Sequence, residues 1–455
     1  MKVMKFGGSC LTSTSSLERV RDLAAEAGAP LVLVFSALQG VTDKLLEMSR
    51  RALLGEVDVA PLLGEHLAYL DALSPARRRE AEARLVATAE DLRRTLLGIA
   101  YLQEVSPRTR DRVAAFGERA AVVLAEALLG DRGLPTELAG DQDHGIVTDS
   151  THGDARILEE SRAAIRARFA AAAGRIHVVP GFVARDRKGA VTTLGRGGSD
   201  YTATYLGAAL GCDTVLWKDV EGLMTADPKI VPEARAIERL HYLDALELAH
   251  YGTKAIYDRA ILPAMRARTR IEIRGFHAAS VRSVISADES PVLAITCVRR
   301  AIMADYYGIG DDMLRTLAQL FTRFAEAGIY PLLLTEASPR GETSVVLKED
   351  EYPRVADALA AAATPGAETG SEGSPGVQSP EVKTNLGVVS VIGSAMRGRI
   401  GFAASIFQCL AARAINIVAI AQTASERNVS VIVERPHVDE AVRALHARFI
   451  DGVRP

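Results

Sequence analysis

Lys5-Phe6-Gly7-Gly8-Ser9 sets one ammonium group beside two consecutive glycines. Glycines let backbone N–H groups approach an anion with no Cβ in the way, and a helix starting just afterwards adds the positive end of its dipole. The chemistry this suits is holding a phosphate; a plain strand-to-helix turn is the other reading left open. A second segment, Leu194-Gly195-Arg196-Gly197-Gly198-Ser199-Asp200-Tyr201, surrounds an arginine with three glycines. The planar fork of arginine takes a carboxylate or phosphate through two parallel hydrogen bonds. Ser199 and Asp200 also suit a helix cap, but three glycines and an arginine exceed what a cap requires. Ser36-Ala37-Leu38-Gln39-Gly40-Val41-Thr42 ends a strand in hydroxyls, and capping explains it equally well. Phe116-Gly117-Glu118-Arg119 lies in a helical pattern, where a lone glutamate is commonly solvated. Lys218 to Lys229 follows a strand and suits a nucleotide-facing loop, and Tyr251-Gly252-Thr253-Lys254 puts a lysine beside a glycine turn. A surface loop and a solvated lysine are the plain readings of these two.

The elements that must carry these residues follow an α/β order. Val3–Phe6 and Leu31–Phe35 read as strands, and Ser16 to Ala27 between them reads as a helix with Leu17, Val20 and Leu23 on one face. A five-residue apolar run suits a strand buried on both faces of a parallel sheet. Residues 43–133 are helical by pattern. Strands return over 176–179, 181–183, 191–194 and 215–217, with a helix from Asp200 to Leu210.

The chain has 455 residues, with 54 Lys+Arg against 57 Asp+Glu, so its formal charge of −3 gives no global case for nucleic acid or an anionic membrane. At 48% hydrophobic and 24% charged it has ample core material. No uncharged apolar run reaches the length of a membrane span, and the N-terminus lacks the pattern of a signal peptide. Cysteines stand at 10, 212, 297 and 409, with no C-x-x-C pair, which fits a reducing cytoplasm and predicts neither disulfides nor a metal site. P-loop, G-x-G-x-x-G, H-E-x-x-H and G-x-S-x-G motifs are absent.

After residue 290 a repeat appears at an offset of 86 positions, pairing Phe321 with Phe407, Ile329 with Ile415, Leu334 with Ile420 and Ser344 with Ser430. Leu347 with Val433 and Leu359 with Leu445 continue it. Each copy reads strand, helix, strand, strand, helix, starting at 292–298 or 388–392. Residues 364–384, rich in Pro, Gly, Ser and Glu, read as a mobile linker.

Taken in order, these segments resemble the aspartate kinases of the amino acid kinase superfamily. Lys5–Cys10 is similar to K-F-G-G-[ST]-S, Ser36–Thr42 to S-A-x-x-G-[VI]-T, and Phe116–Glu118 to F-G-E. Thr193–Asp200 matches T-L-G-R-G-G-S-D letter for letter; Asp219–Pro228 and Gly252–Lys254 resemble D-V-x-G-[IL]-x-T-x-D-P and G-[AT]-K. The repeat resembles paired ACT modules. The resemblance implies a three-layer α/β kinase domain with a mainly parallel sheet over 1–288. ACT-like α+β modules follow over 289–363, with 436–455 as a candidate to complete that module, and over 385–435.

The implied activity is ATP-dependent phosphorylation of the β-carboxylate of L-aspartate, feeding lysine and threonine biosynthesis. The implied roles are catalysis by Lys5, Gly8 and Asp200, with Asp200 orienting either Lys5 or the substrate amine. Arg196 would grip the α-carboxylate and Glu118 the α-ammonium, while Ser36, Thr42, Thr193 and Ser199 hydrogen-bond the substrate. Gly7, Ser9, Gly198, Asp219, Met224, Lys229 and Lys254 would hold ATP, which brings Mg²⁺ with it. Asn416 and Gln422 suit an effector site for threonine or lysine, and the ACT modules a homodimer; the other reading is that both copies only dimerise.

This chain differs from the family pattern at several positions. Cys10 stands for a hydroxyl residue, Lys218 for Thr or Ser, Met224 for Tyr, Lys229 for Arg, and Tyr257-Asp258 for a His-Pro pair. Gly308–Asp312 and Glu336–Pro339 depart from the effector pattern. A kinase of the same superfamily acting on another carboxylate or a carbamate, and a catalytically weak amino-acid-binding regulator, are the alternatives.

Overall fold

Val3, Met4, Lys5 and Phe6 are all buried, as in a strand covered on both faces. This strand, β1 (Lys2–Phe6), leads to α1 (Thr14–Ala27), whose cap Ser13 accepts a hydrogen bond from the Ser16 N–H at 3.2 Å. The chain returns as β2 (Leu31–Phe35), parallel to β1. Helices α2 (Val41–Leu53), α3 (Ala60–Leu67), α4 (Pro75–Leu102) and α5 (Pro107–Asp131) follow. Ser106 caps α5, and Pro107 sits in its first turn, where a missing N–H costs nothing. Next come β3 (Thr136–Leu138), β4 (Val147–Thr148), α6 (Ser161–Ala170), β5 (Ile176–Pro180), β6 (Val183–Asp186) and β7 (Val191–Thr193). Then α7 (Gly198–Leu210), β8 (Thr214–Lys218), β9 (Arg239–His241), α8 (Tyr242–His250), α9 (Asp258–Ala267), β10 (Ile271–Gly275) and β11 (Arg282–Ser286) complete this part of the chain.

The computed structural model describes residues 1–170, 174–220, 222–253, 255–277, 282–307, 311–337, 342–362 and 380–452. It divides into two units: Met1–Leu223, Glu238–Tyr242 and Ala255–Glu289 form the first, and Met224–Ile237, Leu243–Lys254 and Ser290–Pro455 the second. The catalytic domain expected over 1–288 therefore gives up 224–237 and 243–254, including most of α8, to the second unit.

The main sheet of the first unit has the order β3-β5-β2-β1-β8-β10-β11-β9, parallel throughout except for β10 with β11. One face is covered by α1, α2, α4 and α5, whose apolar residues cluster with Met4, Phe6, Leu33, Phe35 and Trp217. α7 packs on β1, β2 and β8 and on α6 and α9. This is the expected three-layer α/β arrangement with a mainly parallel sheet. Side chains alternate along a strand, so Lys5 points away from the side taken by Met4 and Phe6.

In the second unit, β12 (Ala294–Tyr307), α10 (Asp311–Ala327), β13 (Leu333–Ala337), β14 (Glu342–Lys348) and α11 (Ala356–Ala362) form the first copy of the repeat. β15 (Glu381–Ile392), α12 (Phe402–Ala411), β16 (Ala419–Gln422), β17 (Asn428–Glu434) and α13 (Val438–His446) form the second. One antiparallel sheet, β13-β14-β12-β15-β17-β16, runs through both.

β12 and β15 are longer than expected because each serves both copies. Ile295 of β12 packs with Val389, Val391, Ile406 and Val431 of the second copy, whereas Ile302, Ala304 and Tyr306 pack with Leu320, Phe324 and Val345 of the first. The register shifts between Val298 and Ala301, where the strand passes from one core to the other. Two expectations change. Residues 381–384 begin β15, so the linker reading does not hold there, and 363–379 lie outside the described residues. α13 packs Val438, Val442 and Leu445 into the second copy, where they meet Ile295, Val389 and Val433, and not into the first.

Phe6 lies between Phe35, 5.6 Å away centre to centre, and Trp217, 6.3 Å away, with its ring fully buried. Phe6→Ala should cost about 3–5 kcal/mol of unfolding free energy by urea titration. A loss below about 1 kcal/mol would mean that this aromatic row does not hold the sheet.

Candidate active site

Strands β2, β1 and β8 are neighbours and parallel, so their carboxyl ends deliver Ser36, Gly7-Gly8 and Lys218 to one edge of the sheet. Ligands in open α/β sheets bind at such an edge. Here it borders a cavity of about 440 Å³, reached by Lys5, Gly8, Ser9, Ser36, Thr42 and Glu118. The start of α7 (Gly198, Ser199, Asp200), Lys218 and Tyr257 also line it. Gly8 can be nothing else, since a Cβ there would stand 2.8 Å from the Ala37 carbonyl oxygen. Gly197, the residue before α7, has φ 73° and no side-chain cap. Cys10 is buried, with its thiol 3.5 Å from the Trp217 carbonyl, and burial raises its pKa.

Asp200 is the electrostatic centre. Lys5 Nζ lies 2.8 Å from its Oδ1, and Lys218 Nζ donates to Oδ2 at 2.5 Å. Burial penalises the charged carboxylate, yet the attraction of Lys218 and Lys5 outweighs it and draws the pKa down to about 2. Two ammonium groups share one carboxylate, so the cluster is net positive.

Glu118 is the opposite case. It sits on α5 with 4% of its surface exposed, and its Oε2 has no hydrogen-bond partner. Burial dominates, against a hydrogen bond from Ala37 and the pull of Lys5, and pushes its pKa up to about 8. A carboxyl held this way has one obvious complement, a cation entering the cavity.

Of the other expected residues, those the structure describes are not among the residues lining this cavity. Thr193 faces α5 from β7, and its hydroxyl donates to Asp111 Oδ1 at 2.6 Å. Asp111 also accepts from the Gly153 N–H at 3.1 Å and lies 2.8 Å from His152 Nδ1, so Thr193 is a strut behind the cavity wall, not a lining residue. Arg196 is exposed outside the lining, with Nε donating to the Tyr257 hydroxyl at 2.6 Å. Gly7 precedes the turn without lining the cavity, and Asp219 is exposed. Met224 and Lys229 belong to the second unit, where Met224 bridges to Ala236 and Lys229 is exposed. Asn416 and Gln422 are exposed, after α12 and at the end of β16. Lys254 lies outside the described residues.

The sequence profile of the amino acid kinase family matches residues 1–275, more than half of the chain. The chain belongs to the amino acid kinase family. A second profile, the ACT domain, matches residues 389–449. This amino acid kinase is 29% identical to the aspartate kinase of Pseudomonas putida over 98% of its own length and 97% of the relative's. It is 28% identical to aspartokinase 2, chloroplastic, of Arabidopsis thaliana, covering 99% of this chain and 84% of that one. Among solved structures, E. coli aspartokinase III in complex with aspartate and ADP has the same fold, with a TM-score of 0.81 at 22% identity over 99% of both chains. Clostridium acetobutylicum aspartate kinase shares it too, with a TM-score of 0.75 at 20% identity over 99% and 100% of the two chains.

In this amino acid kinase the structure brings Tyr257 to the cavity, joins Lys218, read from sequence only as the start of a nucleotide-facing loop, to Asp200, and sets Asp111 behind the wall as the partner of Thr193. Each shows its part only through a partner distant along the chain. The departures from the family pattern at Lys218 and Tyr257 were the available signal.

The Glu118 carboxyl should also leave a mark on stability. It ionises near 4.5 when exposed and near 8 in the fold, so between these values the unfolded chain binds fewer protons and stability falls as pH rises. Glu118→Gln removes that dependence. The variant's Tm relative to wild type should therefore climb steadily from about pH 5 to about pH 8 in scanning calorimetry. A flat difference would mean that the carboxyl is ionised throughout.

Proposed function

We propose that this chain is an aspartate kinase, which transfers the γ-phosphoryl group of ATP to the β-carboxylate of L-aspartate and yields 4-phospho-L-aspartate and ADP. The observation that carries this is the presence, in one cavity, of the unpartnered Glu118 Oε2 and the net-positive Lys5–Asp200–Lys218 cluster. The first suits an ammonium group and the second phosphoryl oxygens. An amino acid meeting a nucleotide satisfies both. The names of the full-length relatives, and the aspartate and ADP bound by the E. coli enzyme of the same fold, support the choice of substrates.

The nucleophile is a carboxylate, already ionised near neutral pH, so no base is called for. The barrier is electrostatic, since one anion must reach another. Lys5 and Lys218 draw the phosphoryl oxygens, assisted by the backbone N–H groups of Gly8 and Gly198. Asp200 stays ionised and aims both ammonium groups. Glu118 releases its proton to water as the substrate ammonium docks. Ser36, Thr42 and Ser199 offer hydroxyls, Ser9 faces the nucleotide, and Arg196 takes the α-carboxylate. Among the described residues no group of three or more His, Cys, Asp or Glu could hold a metal ion by itself. In this reading Mg²⁺ would arrive with the nucleotide and offset phosphate charge. In the same reading threonine or lysine acts through the ACT modules, with contacts at Asn416 and Gln422. Exposed Phe321, Leu334 and Ile420 suit a homodimer, and the protein works in the cytoplasm.

With ATP, Mg²⁺, aspartate and hydroxylamine, the protein should form aspartyl hydroxamate. Lys5→Met should lower kcat roughly a hundredfold to a thousandfold, the usual cost of removing one preorganised donor to developing charge. Lys218→Thr should lower it about tenfold or more. No hydroxamate at high protein concentration refutes the assignment, and product from acetylglutamate or carbamate alone reassigns the substrate.

A further inference from the structure

Arg196 stands between Gly195 and Gly197, which have φ values of 70° and 73°, so the backbone on either side does little to hold it. An exposed arginine on such a loop must surrender considerable rotamer freedom before it can grip a ligand. Here one side chain restrains it. Its Nε donates to the Tyr257 hydroxyl at 2.6 Å, and its guanidinium carbon lies 5.4 Å from the centre of the Tyr257 ring. The bond uses Nε and so spares the two terminal nitrogens that form the carboxylate-binding fork.

Tyr257 is itself firmly placed. It precedes α9, the helix packed on α7. Its ring closes on Gly197 so tightly that a Cβ there would approach ring carbon Cδ2 to 2.4 Å. Two residues on, Arg259 grips both oxygens of Asp154 at 2.6 Å. Asp154 Oδ1 in turn lies where a Cβ on Gly195 would stand, 2.3 Å from it. The start of α9 thus fastens the glycine loop at three successive points: Gly195, Arg196 and Gly197. Tyr257 both touches Arg196 through its side chain and lines the cavity.

We infer that Tyr257 is the positioning residue for Arg196, holding its guanidinium at the rim of the cavity so that the fork meets the α-carboxylate of the amino-acid substrate. This rests on the assignment of Arg196 to that carboxylate. It gives Tyr257, a residue that departs from the family pattern, a part in substrate selection. The hydroxyl carries the effect, because the ring packing and the cation–π contact survive its removal.

The test is Tyr257→Phe in the full-length protein, assayed by hydroxamate formation with two substrates: L-aspartate and its α-carboxamide, which keeps the β-carboxylate but lacks the α-carboxylate. The variant should raise the KM for aspartate about tenfold, with kcat within about twofold and the KM for ATP unchanged. Its preference for aspartate over the α-carboxamide should shrink by a similar factor, since only aspartate loses the contact. An unchanged aspartate KM overturns the inference. So does an equal loss for both substrates, which would make Tyr257 a general support of the loop. If the wild-type protein turns over no aspartate at all, the proposed function falls and this inference with it. If wild type turns over aspartate and Tyr257→Phe matches it, the inference falls alone.

Discussion

Asp200 holds two ammonium groups on one buried carboxylate, and the arrangement of the first unit follows from what that requires. Two like charges gathered on a common partner repel by on the order of 3 kcal/mol at the effective dielectric of a protein. They remain together only because the carboxylate stays ionised between them, which its depressed pKa expresses. Lys5 comes from the central strand, Lys218 from the end of its neighbour and Asp200 from the helix lying across both. No local segment could assemble this trio; the parallel sheet and the start of α7 do so. Buried ion clusters contribute little net stability, because desolvation offsets attraction. The gain lies in a fixed positive field that need not reorganise when phosphoryl oxygens arrive.

Glu118 balances that cluster from the facing helix. The cavity therefore holds a carboxylate that must be charged and another that is kept neutral until its complement enters. Their environments separate them: direct contact with two cations for Asp200, and burial with an unpaired oxygen for Glu118. The same pair of residue types thus does two kinds of work within one pocket.

Much of this was legible in the sequence, and the reason is backbone geometry. Gly8, Gly195, Gly197 and Gly198 announce themselves because close approach or positive φ leaves few other residues possible. The apolar runs of β1 and β2 announce a covered parallel sheet in the same way. What stayed hidden depends on which way a side chain turns. Thr193 belongs to a motif matched letter for letter, yet strand alternation sends its hydroxyl to Asp111 behind the wall. Arg196 is in the same motif, and its restraint comes from Tyr257, sixty-one positions away. Glu118 would not have been chosen from local pattern alone; only its burial distinguishes it from an ordinary helical glutamate. In the second unit the 86-residue repeat gave the helices and strands in order. It could not reveal that two of the strands would be held in common.

That common ownership has a consequence of its own. Neither half of the second unit possesses a full complement of strands: the second copy borrows the beginning of β12, and the first leans on the beginning of β15, where Val382 meets its core. The duplicated parts are clasped like two hooks rather than strung like beads. Excising either would strip the other of a sealed edge and of apolar side chains from its core.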